Sequence, residues 1–251
     1  IELDALSNSR ALTDSGRKMA ILPVDPKYAR MLITASAQSC LRELLIIVSG
    51  LSIQDPREVS SENRQQAMQQ LAEFEHPDSD FLGLVTLWDD YEKRRQDLNQ
   101  GQLRRHCKKY FLSYMRMREW REVHHQLVLS CQRLGLRTNK KAGDYEAIHK
   151  SLISGSLNQI AKRLEGRNYR GNRNKSFSLF STSVLSNKGA KWIVTGEQIE
   201  TSQTFATQAA KIQPEWVEAM ALHLVKREYF EPHWSKKRQQ VMAYELSLIH
   251  I

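Results

Sequence analysis

Gly166-Arg167-Asn168-Tyr169-Arg170-Gly171-Asn172-Arg173-Asn174-Lys175-Ser176 is the stretch on which the reading of this chain turns. Before it, apolar residues recur with the 3.6-residue period of helices; after it come short runs rich in β-branched and aromatic residues. The stretch itself has almost nothing to bury, so it marks a border between two kinds of structure. The expected fold class is α+β: a helical bundle followed by a small β-barrel.

Working back from the border, residues 145–153 and 157–164 read as a short helical pair split by Gly155. Leu103, Cys107, Tyr110, Phe111 and Tyr114 share a face, which Val123, Leu127 and Cys131 continue until Gly135 stops it. Phe81, Leu84, Val85, Trp88 and Tyr91 form the broadest apolar stripe, with Asp78 placed to cap that helix. From Lys27 to Val48 the helical spacing runs through Met31, Leu32, Ala35, Leu41, Leu44 and Leu45. These segments predict a bundle over residues 27–165, with residues 1–26 the end of a preceding element. Forward of the border, 177–180, 192–195 and 199–205 predict strands, and Asn187-Lys188-Gly189 a hairpin turn between the first two. They outline a barrel over 166–222, closed by a helix that opens at Pro214.

Composition bounds the function. With 41% hydrophobic and 26% charged residues the chain reads as a soluble globular protein. Its longest apolar run, Leu44 to Val48, is too short to span a bilayer, so no membrane partner is expected. No basic-then-apolar leader opens the chain, which begins at Ile1 and is expected to lack its natural start. Cys40, Cys107 and Cys131 have no CxxC spacing and suit a reducing, cytoplasmic setting. Residues 1–100 carry 11 Lys/Arg against 16 Asp/Glu, whereas 101–251 carry 26 against 12. Such an imbalance points the second part toward a polyanion, above all a nucleic acid.

Catalytic signatures are missing from the sequence. There is no GxxxxGK[ST], HExxH, GxSxG or GxGxxG. His124 and His125 are adjacent on a helix, about 100° apart, which is poor metal geometry. Asp89, Asp90 and Glu92 read as the polar side of an amphipathic helix. No catalytic residue, metal site or cofactor is therefore assigned to the chain. What remains is positive charge in four clusters: Arg104-Arg105 with Lys108-Lys109; Arg116, Arg118 and Arg121; Lys162-Arg163 with Arg167, Arg170, Arg173 and Lys175; and Lys188 with Lys191. The third combines cations with Asn, Gly and Tyr169, which suits phosphate approach and base stacking.

Leu12-Thr13-Asp14-Ser15-Gly16-Arg17-Lys18-Met19-Ala20-Ile21-Leu22-Pro23-Val24-Asp25-Pro26 closely resembles the LTxxGxxMAxLPxDP junction of DEAH/RHA helicases, which leads from winged helix to ratchet bundle. Leu44 to Ser52 resembles the family's buried helix, and Asp55-Pro56-Arg57-Glu58 the bacterial HrpA-type form of the next turn. Val123-His124-His125-Gln126-Leu127 resembles an IRxQL element, although His124 stands where Arg is usual. Gly155, Asn158 and Ala161 fit a glycine-led helix, and Phe180-Ser181-Thr182-Ser183 sits where relatives carry an HPSS-like turn. Trp192 to Val217 resembles the WxVxxExxxTxxxF…IxPxW run of the OB-fold, with Thr207 where relatives often carry Arg.

The resemblance implies an α+β accessory region: a winged-helix remnant over 1–26, a ratchet over 27–165, an OB-fold over 166–222 and the start of an HrpA-type C-terminal domain over 223–245. Residues 246–251 resemble a translated transposon end from library preparation and are set apart. It also implies an ATP-dependent 3′-to-5′ RNA helicase whose RecA-like motor, with ATP and Mg2+, lies outside these residues. Partners would be single-stranded RNA and that motor, with a ribosome or ribonucleoprotein as a further candidate. Phosphate contacts are expected from Arg167, Arg170, Arg173 and Lys175, with Lys162, Arg163 and Lys191 beside them. Ser181, Thr182, Ser183, Thr201 and Ser202 would meet backbone or sugar, and Arg116, Arg118 and Arg121 would contribute from the bundle. The competing reading is a protein-interaction scaffold, using exposed aromatics such as Trp120 and Trp234, that packs on the motor or on a partner.

Overall fold

The computed structural model describes residues 3–7, 9–200, 203–222, 225–235 and 239–249. Its first part is helical: α1 (Asp14–Met19), α2 (Pro26–Ala37), α3 (Leu41–Leu51), α4 (Arg64–Leu71), α5 (Asp80–Asp97), α6 (Gln100–Lys109), α7 (Tyr114–Arg133) and α8 (Tyr145–Gly155). Helix α3 is apolar nearly all round, and Leu41 and Leu44 to Gly50 are buried; a helix of that kind must be central. Helices α2, α5 and α7 pack around it, and α8 packs on α2. Trp120 of α7 is 0% exposed. Its indole N–H lies 3.0 Å from both the Ile46 carbonyl and Ser49 Oγ, so this bulky ring is buried without an orphan donor. The expectation of an exposed Trp120 is thereby corrected, whereas Trp234 is 61% exposed.

The continuous helical pattern from Lys27 to Val48 is two helices, because Ser39 takes a left-handed φ of 56° between α2 and α3. A second break falls between α6 and α7, where Phe111 has φ 53°. Period alone misses such breaks, since apolar side chains keep facing one core across the corner. The helix α5 is capped by Ser79, whose hydroxyl accepts from the Leu82 amide, and not by Asp78.

The sheet begins earlier than the sequence pattern suggests. Strand β1 (Ile160–Arg163) follows a single 3₁₀ turn over Leu157–Gln159, so the expected helix over 157–164 does not form. Then come β2 (Asn168–Arg170), β3 (Ser176–Leu179), β4 (Trp192–Thr195), β5 (Gln198–Glu200), β6 (Thr204–Ala206) and β7 (Ala209–Lys211). They join in the order β5-β6-β3-β2-β1-β4-β7, a curled half-barrel consistent with an OB-fold. A sheet boundary at residue 166 would cut between β1 and β2, which are hydrogen-bonded partners. Nor do β3 and β4 form a hairpin: β3 pairs with β2 and β6, and β4 with β1 and β7.

Alternation sorts the residues of the sheet. Ala161, Tyr169, Phe177, Leu179, Ile193, Ala206 and Ala209 fill the inside of the curl. On the other face Val194, Ala210 and Ile212 join the core of the bundle, together with Val217 of α9 (Pro214–Met220). A two-stranded hairpin, β8 (Val225–Ser235) with β9 (Gln240–Ile249), ends the described chain.

Candidate nucleic-acid interface

The segment from His76 to Asp80 locks the half-barrel onto the bundle. Asp80, in the first turn of α5, is 8% exposed and points into the sheet's connections. Its carboxylate accepts from the Ser183 hydroxyl at 2.5 Å, the Val184 amide at 2.9 Å and the Ala209 amide at 2.8 Å. Burial pushes its pKa up, against the three hydrogen bonds, which favour the charged form. Beside it the Lys211 amide donates to the Asp78 carbonyl at 2.9 Å, and Lys188 Nζ to the Pro77 carbonyl at 2.5 Å. His149 Nδ1 lies 2.6 Å from the Tyr145 carbonyl and Nε2 lies 2.8 Å from Ser79 Oγ. A carbonyl can only accept, so Nδ1 carries a proton; burial lowers the ring's pKa to about 4, which leaves Nε2 to accept from Ser79 near neutral pH.

Docking of the two parts leaves a cleft of about 420 Å³ between them. Leu71, Phe74, Leu84 and Leu87 of the bundle form its apolar floor, and Phe180, Thr182, Val184, Ile199 and Gln208 its half-barrel wall. Arg57 and Arg64 stand at the bundle side. Arg57 is held by Asp55 through bonds of 2.7 to 3.2 Å. Burial opposes ionisation of Asp55, but the Arg57 charge overrides it and keeps the carboxyl below its ordinary pKa. Arg64 donates to Ser181 Oγ across the cleft mouth.

A second feature lies on the outer face of the sheet. Register sets Arg170 of β2 directly opposite both Ser176 of β3 and Lys162 of β1, and Lys162 opposite Trp192 of β4. The Lys162 ammonium sits 5.7 Å over the Trp192 ring. Lys162, Arg170, Asn172 and Trp192 line an open groove of about 730 Å³ against α9. Among the described residues neither Lys162 nor Arg170 has an ion-pair partner, although like charges facing each other across strands repel.

The other expected contacts divide. Arg167 and Arg173 are exposed in the turns flanking β2, and Lys191 is exposed just before β4. Lys175 reaches Glu200 at 3.1 Å. Arg163 is occupied: its guanidinium donates to the Gly166 carbonyl at 2.9 and 3.1 Å and to the Gly189 carbonyl at 3.1 Å. The φ of 65° at Gly189 favours glycine, and a Cβ there would displace the Arg163 guanidinium from this position. Ser183 is buried on Asp80, so its hydroxyl faces no solvent and the expectation of a sugar or backbone contact there is corrected. Thr182 lines the cleft and Ser181 meets Arg64. Thr201 and Ser202 lie outside the described residues.

On α7, Arg118 is exposed, but Arg121 pairs with Glu92 at 2.6 Å and Arg116 donates to the Asp55 carbonyl at 3.0 Å. These arginines are thus drawn toward the bundle's own acids and carbonyls. His124 packs against Trp88 with ring centroids 4.5 Å apart and planes tilted by 41°, and burial lowers its pKa to about 4, so it brings no charge near neutrality. Thr207 Oγ1 is engaged with Glu197 and Gln208. The cleft residues Arg57 and Arg64 were not expected as contacts; apart from the Asp-Pro turn before Arg57, nothing local singles them out. Among the described residues no group of His, Cys, Asp and Glu could hold a metal ion, and no helix is long and apolar enough to cross a membrane.

Two family models match this geometry: the ratchet-like helicase associated domain (HA2) over residues 25–84 and the oligonucleotide/oligosaccharide-binding (OB)-fold over 148–224. The two matches together support the C-terminal accessory region of a DEAH-box helicase. Within that class the chain is similar to the HrpA type. It is 42% identical over 94% of its length to an ATP-dependent RNA helicase HrpA homolog of Haemophilus influenzae, and 40% over 98% to ATP-dependent RNA helicase HrpA of Escherichia coli. It is also 29% identical over 87% of its length to the pre-mRNA-splicing factor ATP-dependent RNA helicase prp22 of Schizosaccharomyces pombe. The chain spans 18% to 19% of the length of these relatives.

Proposed function

We propose that this chain is the RNA-holding region of an ATP-dependent 3′-to-5′ RNA helicase acting in the cytoplasm. It would grip a single strand and transmit its position to RecA-like domains outside these residues, where ATP and Mg2+ bind. The observation that carries this reading is the facing pair Lys162 and Arg170, exposed beside Trp192 and, among the described residues, without a carboxylate ion-pair partner. A phosphate between them would relieve their mutual repulsion. Arg167 and Arg173 extend the positive edge through the adjoining turns. The cleft supports the same reading, because Thr182 and Arg64 stand where only docking of both parts brings them together. A strand held there would feel any movement of the bundle against the half-barrel.

Binding of the chain to a labelled single-stranded RNA, followed through a salt series, tests the proposal. Each phosphate neutralised contributes roughly 0.7 to the slope of log affinity against log salt. Replacing Arg167, Arg170 and Arg173 together by Gln should lower the slope by about 2 and weaken binding at least tenfold at low salt. Affinity that is indifferent to salt and to the triple substitution refutes it.

A further inference from the structure

Helix α6 carries a second concentration of positive charge, away from the sheet. Leu103 and Cys107 turn into the bundle, and the outward positions Arg104, Arg105, Lys108 and Lys109 are all exposed cations. Arg104 with Lys108, and Arg105 with Lys109, are like charges four residues apart, a spacing that destabilises a helix. Six other arginines of the bundle pair with acids, Arg30 with Asp4, Arg42 with Asp89, Arg57 with Asp55, Arg94 with Asp90, Arg95 and Arg121 with Glu92, although among the described residues Arg118 and Arg133 do not. Among the described residues the four α6 cations have no such match.

The charge borders a groove of about 510 Å³ at the α6–α7 corner, lined by Asn63, Arg104, Lys108, Phe111, Tyr114 and Met115. Glu58 is the acidic residue on its wall. The Arg104 guanidinium already lies 5.1 Å over the Tyr114 ring, and Met115 is 65% exposed. The corner is pinned: the Glu58 amide donates to the Phe111 carbonyl at 2.7 Å and the Ser113 amide to the Pro56 carbonyl at 2.8 Å. Cations beside an aromatic ring and a flexible thioether, on a fixed backbone, suit phosphates and unstacked bases together. Location adds a further argument. The segment from Arg57 to Arg64 forms a wall of this groove through Glu58 and Asn63, and a wall of the bundle–barrel cleft through Arg57 and Arg64. The two depressions are neighbours across one stretch of chain.

We propose that the α6–α7 corner is a second binding site for single-stranded RNA, an extension of the strand held at the half-barrel. Phosphates lie on Arg104 and Lys108, with Arg105 and Lys109 adding charge, and a base rests against Tyr114 and Met115. The proposal rests on the RNA-holding function inferred above.

The test uses the chain with Arg104, Arg105, Lys108 and Lys109 all replaced by Gln, against single-stranded RNA of about 8 nucleotides, within the span of one OB-fold, and of about 25. All four side chains are exposed, and thermal unfolding verifies that the variant is folded. The short strand should bind the variant as it binds the parent chain. The long strand should bind at least tenfold more weakly, with a salt slope smaller by about 2. Photo-crosslinking of a long 4-thiouridine strand should label the Phe111–Met115 corner in the parent chain. Equal affinity of both chains for the long strand, while the Arg167, Arg170 and Arg173 variant loses it, overturns the second site and leaves the first. Failure of the parent chain to bind either strand overturns both. Displacement of the long strand from the corner by polyglutamate as effectively as by RNA makes the patch a surface for acidic protein and overturns the proposal.

Discussion

Replacing Asp80 by Ala should unlatch the half-barrel from the bundle. The substitution removes the acceptor for two backbone amides, Val184 and Ala209, and for the Ser183 hydroxyl. A buried amide left without an acceptor costs about 1–3 kcal/mol, and Ala209 is fully buried. Against that loss stands relief from holding a carboxylate out of water, the same effect that raises its pKa. The net should be about 3 kcal/mol of lost stability. Asp80→Asn keeps one acceptor oxygen, which can serve Val184 or the Ala209–Ser183 side but not both, and sets its NH2 against the other backbone N–H, so it should still cost about 2 kcal/mol. Urea unfolding gives both numbers, and amide hydrogen exchange at Val184 and Ala209 reads the local opening directly. If Asp80→Ala lies within about 0.5 kcal/mol of the parent chain, Asp80 is not the latch.

The neighbouring His149 makes an opposite statement about pH. Its folded pKa is lowered to about 4, so the native state binds fewer protons than the unfolded chain between there and 6.5. About 3 kcal/mol of stability should be present above pH 6.5 and drain away as pH falls toward 4. His149→Gln should flatten that stretch of a stability–pH profile; an unchanged profile would mean the ring is not the acid-sensitive group. Gly155→Ala should destabilise by about 3 kcal/mol, because its Cβ would stand 2.2 Å from the Lys27 carbonyl oxygen where α8 crosses α2. A melting temperature within error of the parent would contradict that close approach. Arg163→Ala should loosen the β1–β2 turn by about 1 kcal/mol yet weaken RNA binding less than Arg170→Ala does, since Arg163 is committed to two carbonyls. Equal losses of affinity would show that Arg163 also meets the strand.

Much of the architecture was legible along the chain. The apolar stripe of α5 reveals itself by period, and Pro214 opens its helix as expected. The breaks at Ser39 and Phe111 were not legible, because a polar or aromatic residue in a left-handed conformation leaves no mark in the periodicity. Strand β1 escaped for a related reason. Ile160-Ala161-Lys162-Arg163 has little β preference of its own and becomes a strand by pairing with β2 and β4 on either side.

By itself the sequence determined that this is a two-part α+β chain, helices first and a small sheet after, with positive charge gathered in its second half. Those properties are local or additive: period reports which face of an element is buried, and net charge is a sum. Which cations are free and which are spent was decided by the tertiary structure alone. Ser183 and Asp80 lie 103 residues apart, and Arg64 and Ser181 lie 117 apart. Whether a hydroxyl or a guanidinium faces a ligand or a neighbour depends on what folding delivers to it from such distances, and no local pattern carries that information.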